Sequence, residues 1–379
     1  MKKLISVLAV MLLLVSLAAC SSAPEEKKAE APAKTEEAAA PEAPKDEAKP
    51  VKVGFVYVSP VGDAGFSYAH DLGRKAVDAL PYATTAFAES VPEGADSERV
   101  IRNMARKGFN LIFTTSFGYM DPTIKVAKEF PDVAFMHCSG FQKSPNVSNY
   151  FGRVYQARYL TGLVAGSMSK SAKIGYVAAY PIPEVIRGIN AFTIGVREVN
   201  PNAEVRVVWT KTWYDPALEK DAAKSLLDAG CDVITQHQDS PAAQEAAQEA
   251  GAWCIGYNSD MSPFAPKTNL TSAIWNWGPE YVKITEAVHD GTWKGDESYW
   301  WSLKDGVVDI APMSAAVPED VKAMVNAHRD KMKAGEDNVF AGPLKNQKGE
   351  EVVKEGAKLA DKDLLGMTWF VEGVVGTTE

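Results

Sequence analysis

The feature that most constrains the fold is a repeated alternation of short apolar strands with helical segments. The first predicted strand, residues 51–58, is an almost continuous apolar run, as expected for a strand that is buried on both faces. Helical spacing follows over residues 66–80, and the alternation continues to a strand predicted at 133–138. Strands that are separated by single helices need crossover connections, so they predict a parallel sheet.

The alternation restarts near Lys173 and continues to a strand predicted at 253–257. Two Asp-Pro pairs predict helix starts in the two runs, with Asp121 and Asp215 as the N-caps. The break between the runs, residues 166–170, contains small and polar residues and is a candidate hinge. The pattern therefore predicts an α/β protein with two doubly wound lobes.

The N-terminus indicates where the protein is located. Lys2 and Lys3 precede an uncharged apolar run, which ends in Leu17-Ala18-Ala19-Cys20. This pattern is that of a secretory signal, residues 1–19, followed by a cysteine that receives lipid. The alternative of a membrane-spanning anchor is less favoured, because the run is shorter than the roughly 20 residues that a spanning helix needs. Lipidation of Cys20 predicts attachment to the cell membrane, facing the periplasm or the outer surface.

Composition limits the remaining interpretations. Residues 20–50 are almost wholly Ala, Pro, Glu and Lys after the lipidated cysteine, which is the composition of a disordered tether. The formal net charge of −9 argues against nucleic acid as a partner. A disulfide between Cys231 and Cys254 is conceivable, although buried free thiols are favoured. No group of His and Cys has zinc spacing, so no metal or cofactor is predicted.

Polar and aromatic residues collect at the carboxyl ends of the predicted strands, where parallel sheets bind their ligands. Aromatic faces at these ends can stack on a flat ring, and amides or carboxylates can bond to its edge. The candidate ligand-binding residues are Asp63, Phe66, Ser116, Phe117, Ser139, Trp213, Gln236, His237, Asn258, Asp260 and Trp275.

Several of these residues admit a second interpretation. Asp63 could accept from a ligand or cap the first helix, and Phe66 could lie in the core. Asp260 could accept from a ring N–H or cap the following turn. His237 lies close to Asp239, which suggests acid–base chemistry. No nucleophile motif or metal set accompanies the pair, so we do not predict an enzyme.

Four segments together resemble the basic membrane protein (BMP) family of ABC-transporter substrate-binding lipoproteins. They are residues 53–76, 151–166, 231–241 and 367–376. The resemblance implies a type I periplasmic-binding-protein fold, with two Rossmann-like lobes and three crossings expected near residues 168, 270 and 305. The expected lobes are residues 51–168 with 270–304, and 169–269 with 305–340. Residues 341–379 are expected to form an extension that packs on the lobes.

The best-understood branch of this family binds purine nucleosides. Its first ligand loop, Asp-x-x-Phe-Asn, matches Asp63 and Phe66, while Ser67 stands in place of the Asn. Trp213 occupies the place of a second stacking aromatic residue, and Asp260 matches a family Asp.

Two departures affect the expected ligand. Ser139 replaces a family Asp, and Trp275 stands where the family has a Lys that contacts ribose. An indole removes that charge-assisted hydrogen bond and fills space for the sugar. The resemblance therefore implies a purine ligand, with a free base such as adenine favoured over a nucleoside.

We expect a monomeric lipid-anchored receptor that delivers a purine to an ABC permease. Three alternatives remain open at this point: a purine nucleoside receptor, a ligand-sensing module for a membrane signalling protein, and an exported nucleoside hydrolase.

Overall fold

The computed structural model describes residues 50–378. The predicted signal peptide, Cys20 and nearly all of the tether lie outside the described residues. Within residues 50–378, no helix is both long and apolar enough to cross a bilayer.

The first lobe is built on a six-stranded parallel sheet with the order β11-β5-β4-β3-β1-β2. Its central strands β3 and β4 are buried at every position, including the polar residues Thr114, Thr115 and His137. The elements of this lobe are β1 (Val51–Tyr57), α1 (Phe66–Asp78), β2 (Ala83–Ala88), α2 (Ala95–Arg106), β3 (Leu111–Thr115), α3 (Met120–Glu129), β4 (Ala134–Cys138), β5 (Val147–Gly152), α8 (Gly278–His289) and β11 (Ser298–Trp301).

The second lobe is built on a seven-stranded sheet with the order β12-β10-β9-β8-β6-β7-β15, in which only β12 is antiparallel to its neighbour. The prediction of two lobes with parallel sheets is confirmed. The elements are α4 (Val154–Met168), β6 (Lys173–Ala178), α5 (Pro183–Val199), β7 (Glu204–Trp209), α6 (Pro216–Asp228), β8 (Val233–His237), α7 (Ala242–Glu249), β9 (Trp253–Asn258), β10 (Asn269–Trp275), β12 (Val308–Ile310), α9 (Glu319–Lys333) and β15 (Val374–Val375).

Three crossings join the lobes, and two of them differ from the expected positions. Helix α4 packs on α5 and β10, so the first crossing lies at Arg153 rather than near residue 168. Strand β10 belongs to the second sheet, so the second crossing lies at Asn276 and Trp277 rather than near residue 270. The third crossing runs between β11 and β12, a stretch that includes residue 305.

The C-terminal residues extend the second lobe. A short ribbon, β13 (Leu344–Lys345) with β14 (Glu351–Val353), precedes α10 (Asp361–Leu365), and β15 adds an edge strand beside β7. The guanidinium of Arg153 donates to both carboxylate oxygens of Asp361, at 2.9 and 2.5 Å. The extension is therefore tied to the first crossing as well as to the second sheet.

Two local features settle predictions about single residues. Asp121 is not an N-cap, because a 3₁₀ turn over Phe117–Tyr119 leads directly into α3, which begins one residue earlier at Met120. Asp215 does cap α6, and its carboxylate accepts from the amides of Ala217 and Leu218. Cys231 and Cys254 are buried and unbridged.

Candidate ligand-binding site

A cavity lies between the two lobes, where the carboxyl ends of their strands face each other. We call it the interlobe cavity. Both lobes supply aromatic and polar side chains to its wall. Its lining residues are Val58, Phe66, Ser116, Phe117 and Ser139 from the first lobe, and Glu184, Trp213, His237, Asp239 and Tyr257 from the second.

Six of the predicted residues line this cavity. Phe66 begins α1 and Trp213 lies between β7 and α6, so each lobe contributes an aromatic side chain. The other four are Ser116, Phe117, Ser139 and His237. The side chain of Ser116 donates to Glu93 at 2.5 Å, and Ser139 donates to Glu184 across the lobes.

Asp63 lies behind the cavity wall and caps the start of α1. Its carboxylate accepts from the amides of Gly65, Ser67 and Tyr68 at 2.7–3.2 Å and from the Ser59 hydroxyl at 2.6 Å. Its oxygens are thus already bonded within its own loop. Of the two interpretations of Asp63, the structure supports the helix cap.

Gln236, Asn258 and Trp275 are buried beside the cavity without lining it. The side-chain amide of Gln236 donates to the Ser240 carbonyl at 2.6 Å. The Trp275 indole N–H donates to Asn258 at 2.8 Å, and Asn258 in turn donates to the Asp239 carboxylate at 3.0 Å. This chain of hydrogen bonds orients Asp239 towards the cavity, so Asn258 and Trp275 act through it.

The placement of Asp260 corrects its prediction as a ligand contact. Its side chain is exposed, lies outside the cavity lining and accepts from the amide of Ser262 at 3.0 Å. Asp260 therefore caps a turn after β9, which is the other interpretation that its position allowed.

Four lining residues were not among the candidates: Val58, Glu184, Asp239 and Tyr257. Asp239 and Tyr257 stand at predicted strand ends, and that position was a usable signal for both. Glu184 is the second residue of α5, just after Pro183, and no local motif marks it as a cavity residue.

The cavity combines carboxylates with a neutral imidazole. Burial raises the pKa of Asp239 well above its ordinary range, and the nearby carboxylates of Asp63 and Glu219 raise it further. Burial lowers the pKa of His237 to about 4, so its ring is neutral near pH 7. The His237 Nε2 atom lies 3.2 Å from the Tyr257 hydroxyl and 3.5 Å from Glu184.

The two lobes touch across the cavity. The Ser259 hydroxyl, from the second lobe, donates to the Ala64 carbonyl of the first. A Cβ atom on Gly65 would lie 2.2 Å from the carbonyl oxygen of Asp239, so only glycine permits this approach. The structure is that of closed lobes around a small enclosed space.

Two lobes, each with a largely parallel sheet, close on an aromatic and polar cavity. This is the architecture of a solute-binding protein of the periplasmic type. Comparisons with known proteins give the same class of protein. The family model described as "ABC transporter substrate-binding protein PnrA-like" matches residues 50–339.

Two curated relatives cover most of the chain. The purine-binding protein of Brucella abortus is 49% identical over 326 residues, which are 86% of this chain and 93% of that protein. A protein of Haloferax volcanii, provisionally named an ABC transporter glucose-binding protein, is 40% identical over 87% of this chain and 82% of its own length.

A solved ABC-transporter solute-binding protein from Conexibacter woesei has 27% identity and a TM-score of 0.63, covering 76% of this chain and 99% of its own. This chain belongs to the BMP family of ABC-transporter substrate-binding proteins. As a member it works outside the cytoplasm and binds a small molecule rather than catalysing a reaction.

Proposed function

We propose that the protein binds a purine in the interlobe cavity, with the ring between Phe66 and Trp213. The observation that carries this proposal is the pairing of two aromatic side chains from opposite lobes with acidic side chains in one cavity. Stacking of a base on an aromatic side chain contributes about 1–3 kcal/mol per contact. The name of the Brucella abortus relative supports the same ligand class.

The polar lining suits a ring whose edge carries N–H donors. Glu184 and Asp239 offer carboxylate oxygens to the cavity, while a neutral His237 lies beside them. The amino group and ring N–H of adenine are donors of this kind, and a carboxyl oxygen accepts hydrogen bonds from them. Asp239 and Glu184 are therefore the residues proposed to bond to the edge of the ring.

A free base is proposed in preference to a nucleoside. Ser139 and Glu184 both line the cavity, and their contact across the lobes joins its two walls. Trp275 also remains where the family has a Lys for ribose, and its N–H is engaged by Asn258. A ribose in the cavity would have to displace the contact between Ser139 and Glu184.

Isothermal titration calorimetry with adenine, adenosine, guanosine and glucose tests the proposal. We expect adenine to bind at least roughly tenfold more tightly than adenosine, a difference of about 1.4 kcal/mol. Glucose is included because of the name of the Haloferax volcanii relative, and it should give no heat of binding. Tight adenosine binding without adenine binding would overturn the preference for a free base, and tight glucose binding would overturn the ligand class.

The membrane attachment is proposed from residues outside the described range. A lipid on Cys20 would hold a monomeric receptor near its permease. Replacing Cys20 with Ala should release the protein from the cell without changing its affinity for adenine. Continued fractionation of that variant with the membrane would contradict lipid anchoring at this cysteine.

A further inference from the structure

Arg158 is a buried cation whose guanidinium forms neither an ion pair nor a hydrogen bond with the described residues. It lies on α4 with 0% of its surface exposed, and none of its three guanidinium nitrogens has a hydrogen-bond partner. It also takes part in none of the ion pairs found among residues 50–378. A guanidinium stays protonated in proteins, and a buried charge without compensation is strongly destabilising.

Two tyrosine rings offset only part of this cost. The guanidinium carbon lies 3.8 Å from the ring centroid of Tyr257 and 5.5 Å from that of Tyr176. Such cation–π contacts are favourable when they are desolvated. They engage the face of the guanidinium, however, and leave its N–H groups free to donate.

Two further buried polar atoms lie near the Arg158 side chain. The Tyr176 hydroxyl and the Nδ1 atom of His237 have no hydrogen-bond partner. The position that a Cβ would take on Gly188 lies 3.7 Å from each of these atoms and 3.8 Å from Cγ of Arg158, with no nearer contact. We call this space, beside Gly188 and enclosed by Arg158, Tyr176 and His237, the Arg158 pocket.

The Arg158 guanidinium and the Tyr176 hydroxyl supply hydrogen-bond donors to the Arg158 pocket. Nε2 of His237 lies 3.2 Å from the Tyr257 hydroxyl and 3.5 Å from the Glu184 carboxylate, and when the hydroxyl donates to Nε2 the neutral ring carries its proton on Nδ1. The pocket then presents the guanidinium N–H groups, an imidazole N–H and a phenol O–H. A water molecule would bond to some of these groups but would leave the positive charge uncompensated.

We propose that the Arg158 pocket binds a small monovalent anion of the size of chloride. The anion would neutralise Arg158 and accept from the donors around it. His237 and Tyr257 also line the interlobe cavity, so the anion would lie directly behind the wall of that cavity. The proposal does not depend on the identity of the ligand in the interlobe cavity.

Crystals of the wild-type protein soaked in sodium bromide give the direct test. We expect an anomalous bromide peak within hydrogen-bonding distance of the Arg158 guanidinium and near Gly188. A data set that shows bromide at other sites but none in the Arg158 pocket would overturn the proposal.

Thermal unfolding gives a test in solution. The midpoint should rise in sodium chloride by about 2–4 °C relative to sodium gluconate at the same ionic strength, because gluconate is too large to enter the pocket. Equal midpoints in the two salts at every concentration would contradict anion binding.

Two variants locate the effect. Tyr176→Phe removes a single buried hydroxyl and should lower the apparent chloride affinity several-fold, and Arg158→Met should abolish the difference between the salts. Arg99→Met is the control, because Arg99 is exposed and pairs only with Asp96 on the surface of the first lobe. If Arg158→Met does not fold, Tyr176→Phe decides the question, and a wild-type response in that variant would contradict the proposed site.

Discussion

Trp213 is the side chain through which the second lobe is proposed to stack on the ligand. It is half-buried, and its ring centroid lies 5.0 Å from that of Tyr180, which helps to hold it at the cavity. Trp213→Ala should weaken adenine binding at least tenfold, since one stacking contact contributes about 1–3 kcal/mol. Calorimetry measures the change. Trp293→Ala, in the loop before β11, is the matched control and should bind adenine as the wild type does, whereas an unchanged affinity in Trp213→Ala would remove Trp213 from the site.

Glu219 gives a prediction about pH that is independent of the ligand. It is fully buried and accepts from the amides of Asp215 at 3.0 Å and Ser240 at 3.2 Å, yet burial raises its pKa from 4.5 to about 7. A raised carboxyl pKa means that the folded state holds a proton which the unfolded state has lost. The free energy of unfolding should therefore fall as the pH rises from 6.5 to 8.

Chemical denaturation at several pH values between 6.5 and 8 measures this slope. Glu219→Gln should make it shallower, because one of the titrating carboxyl groups is gone. Glu249→Gln should keep the wild-type slope, since Glu249 lies on the surface and Lys220 holds its pKa below the ordinary value. Parallel slopes in all three proteins would show that Glu219 does not titrate in this range.

The candidate residues show how far their positions along the sequence predict their places at the cavity. Position at a strand end was enough to place Phe66, Trp213 and His237 at the cavity, because topology fixes where those loops meet. It was not enough for Asp260, whose short side chain bonds to the amide two residues ahead. Glu184 was missed because it lines the cavity only where the two lobes meet, and no local sequence pattern marks such a position.

Among the elements, the loop between β1 and α1 touches the second lobe directly. Gly65→Ala would place a methyl group 2.2 Å from the Asp239 carbonyl oxygen, so the lobes could not reach the same closed contact. We expect at least a tenfold loss of adenine affinity. The unfolding midpoint should change little, because the cores of the two lobes are untouched.

Gly62 in the same loop provides the control. A Cβ on Gly62 would meet nothing within 4 Å, so Gly62→Ala should bind adenine normally in the same titration. Equal affinities of the two variants would mean that this contact between the lobes does not contribute to ligand binding.

The sequence predicted the strands and helices better than the points where the chain changes lobes. Helix α4 is buried at 13 of its 15 positions, so its apolar pattern does not indicate which lobe it covers. The candidate hinge at residues 166–170 covers the last turn and the end of this helix rather than a crossing. The true crossing at Arg153 is set by tertiary contacts, among them its hydrogen bonds to Asp361.

In the molecule as a whole, each sheet supports one wall of the cavity, and the three crossings let the two lobes approach each other. Neither lobe alone encloses a ligand, since each supplies five of the ten residues that line the cavity. Binding should therefore favour the closed arrangement, because the ligand contacts both lobes only there. A closed receptor is also the form that presents both lobes to a permease in a fixed geometry.

The crystal structure of the protein with adenine tests the proposed mode of purine binding most directly. We predict that the purine ring lies in the interlobe cavity between Phe66 and Trp213, with its donor edge within hydrogen-bonding distance of Asp239 or Glu184. A purine bound outside this cavity, or one in it that stacks on neither aromatic ring, would contradict the proposed mode of binding.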